Sequence, residues 1–381
     1  MEQIPVSAAL ERIATWGRTY LDAPTGTLYS NYTCGSFEVD FQGTCLEVEI
    51  AAVPDTFVMP IPGQEPPPRE DWPYVAIFLD GSDTPCRKLC IRDGDRVQLF
   101  CAQEPERHRI RMVKLNENFR TCVGIRSFFL EGQLLPFRKE PRDIIEFIGD
   151  SITCGFGNAA ADPTHEYESA EEDGWMTHGA IAARALGLEP RFICVSGISI
   201  ENQPPMPGFY GMRQLYPYAD RVIQEKLAAQ RGQEAPELEK FDFAAAPARY
   251  VVLNLGTNDA NQIYFRQEKA QAELDFRHNY RTFLREIREL NGPDTVIICA
   301  LGCMDYYLYD VIRDLVAEVA AETGDARLFT LKYNKMMNIG PDVGGCLHPS
   351  IYRHKKMAED LIAKIRTIQG ACLLYTSDAA D

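Results

Sequence analysis

The chain has no apolar run of the roughly 18–20 residues that a membrane span needs. It has no excess of positive charge either. Lys and Arg total 39 against 55 Asp and Glu, for a net charge of −16. A chain that acidic carries no electrostatic footprint for phosphate backbones or anionic lipid, so neither nucleic acid nor a membrane is expected as a partner. The opening MEQIPVSAALERIATWG lacks a basic start followed by an apolar core. No signal peptide is read there, and a cytoplasmic location is expected. Metal-ligand spacing is missing as well. Cys86/Cys90 and Cys299/Cys303 are both C-x₃-C pairs without a matching His pair, so no metal or other cofactor is expected. No internal repeat is visible.

What the chain does have is ordinary globular composition, 45% hydrophobic and 25% charged, over 381 residues. That excludes disorder as the dominant state and predicts two or three domains. The last ten residues, CLLYTSDAAD (372–381), resemble the in-frame translation of a sequencing adapter and are set aside as a scar. Eleven cysteines then remain, an odd number without repeating spacing, which reads as free thiols in a reducing compartment.

The hydrophobic period changes partway along. From about residue 25 to 137, short runs alternate apolar and polar residues between turn signals. Phe37, Val39 and Phe41 alternate, Gln42-Gly43 is read as a turn, and Leu46, Val48 and Ile50 resume. YVAIFLDG, RKLCIRDG, DRVQLFC, HRIRMVKLNEN and TCVGIRSFFLEG repeat the signature. Period-two alternation with Asp-Gly and Glu-Gly turns predicts an antiparallel β-sandwich with one face buried, assigned to residues 1–137. The Pro-rich stretch from Pro54 to Pro73 reads as a surface loop. After the charged linker RKEPR (138–142) the runs become continuous: DIIEFIGD, RFICVSG, RYVVLNLGTND, DTVIICAL and ARLFTLKY. Helical stretches lie between them, clearest in QEKAQAELDFRHNYRTFLREIREL and YDVIRDLVAEVAAETG, with a last helix from about Ser350 to Ile368. This predicts a three-layer α/β domain with a parallel sheet over residues 143–371.

Ligands of such sheets bind beyond the carboxyl ends of the strands. There the sequence places Gly149-Asp150-Ser151, Ser196-Gly197, Gly256-Thr257-Asn258-Asp259 and finally GPDVGGCLHPS, with His348. A hydroxyl, a glycine amide, a carboxamide and an imidazole on one edge supply a nucleophile, oxyanion donors and a general base. Each also has a plainer reading. Ser151 could only cap a helix, Asn258 and Asp259 could be turn residues, and Gly197 could simply turn the chain. His354, between Arg353 and Lys355 in a predicted helix, reads as a solvated face. His108, His165, His178 and His278 read as structural or surface residues, and the three tryptophans more as packing than as sugar platforms.

IGDSITCGFGN, NLGTND and LHPS resemble the signature blocks of the SGNH (GDSL-type) hydrolase superfamily. A β-rich front half carrying HRIRMVKLNEN ahead of them looks like carbohydrate esterase family 2. The resemblance, over about residues 25–368, implies a serine esterase that removes acetyl groups from plant cell-wall polysaccharide. It implies Ser151 as nucleophile, His348 as base, and an oxyanion hole of the Ser151 and Gly197 amides with Asn258. One position departs from the pattern. The family usually has an aspartate two residues before the histidine, where this chain has Cys346; Asp342 is the nearest acid. That departure makes a Ser–His dyad the expectation, in which a backbone carbonyl could hold the imidazole tautomer. A lipid or thioester acyl hydrolase on the same fold is the second functional reading. A carbohydrate-binding protein without catalysis is the third. An unperturbed histidine base predicts activity falling as pH drops through about 6–7.

Overall fold

The computed structural model describes residues 1–56, 69–164, 167–202, 209–234 and 236–377. Most of the Pro-rich stretch and His165 thus lie outside the described residues, as do positions 378–381 of the adapter-like tail.

The front half is one antiparallel sheet of nine strands: β1 (Glu2–Pro5), β2 (Ile13–Trp16), β3 (Tyr20–Asp22), β4 (Thr27–Tyr29), β5 (Ser36–Val53), β6 (Tyr74–Leu79), β7 (Arg87–Cys90), β8 (Arg96–Lys114) and β9 (Cys122–Leu134). Its main path runs β3-β4-β9-β5-β8-β6-β7, with β1 added on β9 and β2 on β5. The sheet curls around a core that includes Phe37, Val39, Phe41, Val48, Ile77, Ile110, Ile125 and Phe128. The alternation expected of a half-buried strand is what fills that core. The layers of the expected sandwich are parts of one continuous sheet, because β5 and β8 run 18 and 19 residues and bend.

The bend corrects two expected turns. Gly43 and Gly132 do not reverse the chain. They face each other within β5 and β9, at a register shift between Gly43 and Cys45. A Cβ on Gly43 would lie 2.1 Å from the Glu131 carbonyl, so only glycine permits the approach. A bulge between two glycines kinks a strand without ending it.

The back half alternates strands and helices as expected. Strands β10 (Ile144–Gly149), β11 (Glu189–Cys194), β12 (Ala248–Asn254), β13 (Val296–Leu301) and β14 (Leu328–Lys332) form a parallel sheet in the order β11-β10-β12-β13-β14. The helices are α1 (Ser151–Cys154), α2 (His178–Leu186), α3 (Met212–Leu215), α4 (Arg221–Gln230), α5 (Thr257–Tyr264), α6 (Lys269–Asn291), α7 (Tyr309–Thr323) and α8 (Ile351–Ser377). Both faces of the sheet are covered, which is why its strands read as continuous apolar runs.

The two halves share a core. Ala76, Phe78, Val113 and Leu115 of the front pack with Phe147, Trp175 and Ala180 of the back. Arg18 and Glu146, both fully buried, pair across the boundary at 3.3 Å. Such a pair repays its desolvation only with further partners. Arg191 also pairs with Glu146, and Arg18 donates to the Tyr218 carbonyl at 2.8 Å.

Candidate active site

The end of β10 delivers the serine. Asp150 caps α1, its side chain accepting from the Ile152 amide at 3.0 Å, which fixes the turn that presents Ser151. Burial pushes the Asp150 carboxyl up to about 7, and that of Asp259, which accepts from the Ile200 amide at 3.2 Å, to about 7 as well. Asp150 therefore serves the turn as a helix cap.

The loop before α8 delivers the histidine. His348 Nε2 lies 2.9 Å from Ser151 Oγ. Its Nδ1 lies 3.0 Å from the Cys346 carbonyl oxygen. A carbonyl can only accept, so Nδ1 carries the proton and Nε2 is free to accept from the serine hydroxyl. The loop reaches this geometry through two consecutive left-handed residues, Cys346 (φ 49°) and Leu347 (φ 59°). Non-glycine residues hold that region only where their surroundings impose it. Here the Gly344 amide donates to the His348 carbonyl at 2.7 Å and the Gly345 amide to the Gly157 carbonyl at 2.7 Å. The serine and histidine loops are thereby tied to each other. Phe156 packs against the imidazole at 4.8 Å and is itself stacked on Tyr167 at 4.3 Å. Burial lowers the His348 pKa, opposed by the Cys346 carbonyl.

Asp342 does not touch the imidazole. Its carboxylate accepts from the Met337 amide at 2.7 Å and its backbone carbonyl from the Ser350 amide at 2.9 Å, so it braces the loop.

Gly197 and Asn258 meet at the ends of β11 and β12. Val195 to Ile198 is a four-residue turn closed by the Ile198 amide on the Val195 carbonyl at 3.3 Å. Gly197 is its third residue, with φ 79°, the type II arrangement that calls for glycine there. Asn258 Nδ2 donates to the Ile198 carbonyl at 3.0 Å. A carboxamide nitrogen has two hydrogens, so one donor remains. The nucleophile, the imidazole, the glycine turn and the carboxamide all stand at the carboxyl edge of the parallel sheet.

His354 corrects the expectation of a solvated face. It is fully buried, stacked on His178 with centroids 5.5 Å apart, and its Nδ1 accepts from the His178 amide at 3.1 Å. The charged neighbours Arg353 and Lys355 hide a helical stripe of His354, Met357, Leu361, Ile365 and Ile368 that faces the core. His108 bridges Asp80 and Glu106 at the surface, and His278 is exposed. Trp16 and Trp175 are buried packing, at 7% and 6% exposure.

Residues 147–350 match the model of the GDSL-like lipase/acylhydrolase family. The chain belongs to that family. It is 32% identical over 247 residues to the cellulase/esterase CelE of Acetivibrio thermocellus, a match covering 64% of this chain. It spans only 28% of that much longer protein. It is 25% identical over 281 residues to an acetylxylan esterase/glucomannan deacetylase of Cellvibrio japonicus, covering 70% of this chain and 71% of the relative. Among solved structures, a family two carbohydrate esterase from Clostridium thermocellum in complex with cellohexaose superposes with TM-score 0.75 at 25% identity. That match covers 94% of this chain and 99% of the other. An acetyl xylan esterase from the rumen bacterium Butyrivibrio proteoclasticus shares the fold with TM-score 0.79 at 18% identity, over 97% and 98% of the two chains.

Two features of this GDSL-family chain escaped the sequence. The Cys346 carbonyl is backbone, and no residue type announces it. Glu117 and Phe119, from the front half, reach the glycine turn of the GDSL domain, and only the NEN of HRIRMVKLNEN hinted at them. Among the described residues, no group of three or more His, Cys, Asp or Glu could hold a metal, and no helix is long and apolar enough to cross a membrane.

Proposed function

We propose that this chain is a serine esterase hydrolysing O-acetyl esters of carbohydrate, on xylan, glucomannan or oligosaccharides derived from them. The 2.9 Å contact between Ser151 Oγ and His348 Nε2 carries the reading. Ser151 attacks the acetyl carbonyl while His348 takes the hydroxyl proton. The carbonyl π electrons move to oxygen, and the Ser151 and Gly197 amides with Asn258 Nδ2 meet that charge. The tetrahedral species collapses to an acetyl-enzyme as its bond to the sugar oxygen breaks, and the imidazolium gives its proton to that oxygen, which leaves as the sugar hydroxyl. Water, deprotonated by His348, then releases acetate and restores Ser151. The Cys346 carbonyl, in place of a carboxylate, keeps Nδ1 protonated throughout.

The hollow beside Gly197 is lined by Ser199, Asn202, Gln262 and Tyr210 as well as Phe119 and Phe209. That mixture of polar and aromatic side chains suits a sugar-borne ester better than a long acyl chain. Residues 1–137 belong to the reading as the accessory domain and 143–371 as the catalytic one. A cytoplasmic, reducing location is part of the same proposal, supported by the eleven free thiols among the described residues. The deciding experiment compares aryl acetate with aryl octanoate, then measures acetate released from acetylated xylan and glucomannan. Faster turnover of the octanoate would favour a lipid acyl hydrolase and overturn the reading.

A further inference from the structure

The geometry points to Glu117, a residue of the β-sheet half, as a positioning residue for the oxyanion hole: its buried carboxylate holds the turn that presents the Gly197 amide. This inference rests on the serine esterase reading above.

Glu117 is fully buried and lies in the short segment between β8 and β9. Its Oε2 accepts from the Ser196 backbone amide at 2.6 Å. The same oxygen accepts from Cys154 Sγ, the last residue of α1, at 3.6 Å. One carboxylate oxygen therefore touches both the helix that begins at Ser151 and the turn that contains Gly197. Ser196 is the second residue of that type II turn. The peptide joining Ser196 to Gly197 is the turn's central peptide, and the Gly197 N–H belongs to it. Types I and II differ by a flip of that peptide, which reverses where the N–H points. A bond from the Ser196 amide to a fixed carboxylate anchors one side of the flip, while Asn258 on the Ile198 carbonyl anchors the other.

The carboxylate is itself held rigidly. The Glu117 amide donates to Glu172 Oε1 at 2.9 Å, and Lys114 Nζ donates to the Glu117 carbonyl at 2.8 Å. Arg120 Nε stands 3.6 Å from Oε1. Tyr167 donates to Glu172 Oε2 at 2.5 Å and also stacks on Phe156, which packs against His348. The front half thus contacts the oxyanion turn directly and the general base through two aromatic rings. An oxyanion donor works only when pre-aimed, because reorienting it during the reaction forfeits its advantage.

The test uses the full chain and two variants that separate length from charge. Glu117→Asp keeps the charge and withdraws the oxygen; Glu117→Gln keeps the length and an accepting oxygen without the charge. Rates on an aryl acetate are taken per active site titrated with a fluorophosphonate, so only folded enzyme counts. Glu117→Asp is expected to lower kcat by about 10–100-fold with KM changed less than about threefold, since a lost oxyanion donor costs about 10²–10³. Glu117→Gln is expected to stay within about threefold of wild type. Affinity for a short alkyl boronic acid, whose tetrahedral adduct occupies the oxyanion position, should fall in parallel with kcat. Wild-type kcat in Glu117→Asp, equal losses in both variants, or a loss confined to KM would each assign Glu117 to the buried ion cluster alone and overturn the inference. Ser151→Ala, which has no serine to titrate and is measured per mole of folded protein, separates the two claims. Hydrolysis surviving that substitution sinks the esterase reading, whereas Ser151-dependent hydrolysis with a normal Glu117→Asp sinks only the role of Glu117.

Discussion

The two halves of the molecule use glycine and polar residues in opposite ways. In the curled sheet, Gly43 and Gly132 sit in mid-strand, where two backbones crowd and a long strand must bend. In the parallel-sheet half, Gly197 sits beyond a strand end, and no atom lies within 4 Å of where its Cβ would be. The first glycine pair serves packing. The second kind leaves an amide open to a ligand. Polar groups divide likewise: Ser151 and the half-buried Asn258 face the site from the back half, while the buried Glu117 reaches it from the front. The lesson is that the reactive groups come from one half, while the other half reaches them at a single turn.

That division can be broken at either end. The largest effect is expected in the back half. Ser151→Ala and His348→Ala should each lower the turnover of an aryl acetate by about 10³-fold or more, because the two act as one unit. Thermal unfolding should stay close to wild type, because neither side chain belongs to a hydrophobic core of either half. Residual rates near a tenth of wild type would remove these residues from the chemistry.

A core change in the front half should do the reverse. Phe128 is 1% exposed inside the curled sheet. Phe128→Ala should cost about 3–5 kcal/mol of stability by denaturant unfolding. The turnover of the fraction that remains folded should be unchanged. A matching loss of kcat per titrated site would show that the sheet core tunes the chemistry directly.

The pH profile sharpens the comparison within the site. The base must be neutral, and burial lowers the His348 pKa below its ordinary 6.5. The protonated fraction at a given pH is therefore smaller than for a free histidine. The acid limb of kcat/KM should lie below pH 6.5, not across the pH 6–7 that an unperturbed imidazole implies. A limb centred at or above 6.5 would place His348 in water rather than under Phe156.

The smallest effect is expected at Asp342. Because the Cys346 carbonyl holds Nδ1, Asp342→Asn should cost less than about tenfold in kcat. Removing a true triad carboxylate costs about 10⁴-fold. A loss beyond about a thousandfold in folded enzyme would make Asp342 the orienting acid.

Much of this was legible in the sequence for physical reasons. Strands covered on both faces read as continuous apolar runs, so all five strands of the parallel sheet were found. The reactive residues follow those runs directly, so Ser151, Gly197, Asn258 and His348 fell on one edge. Other features were not legible. Gly43 after Gln42 has the composition of a turn, and only its pairing with Gly132 shows it to be a bulge. His354 sits between two cations, and its burial appears only when the whole of α8 is read for period. The Cys346 carbonyl has no residue signature. Glu117 acts across some 80 residues of sequence, a separation that no local pattern reports.

The account's central claim is that Ser151 carries the acetyl group between ester and water. Brief incubation with an aryl acetate, acid quench and mass analysis of the peptides test it most directly. The account predicts one added acetyl group on the peptide containing Ser151, absent from Ser151→Ala and longer-lived in His348→Ala. Turnover with the acetyl group found elsewhere, or the same label persisting in Ser151→Ala, would contradict it.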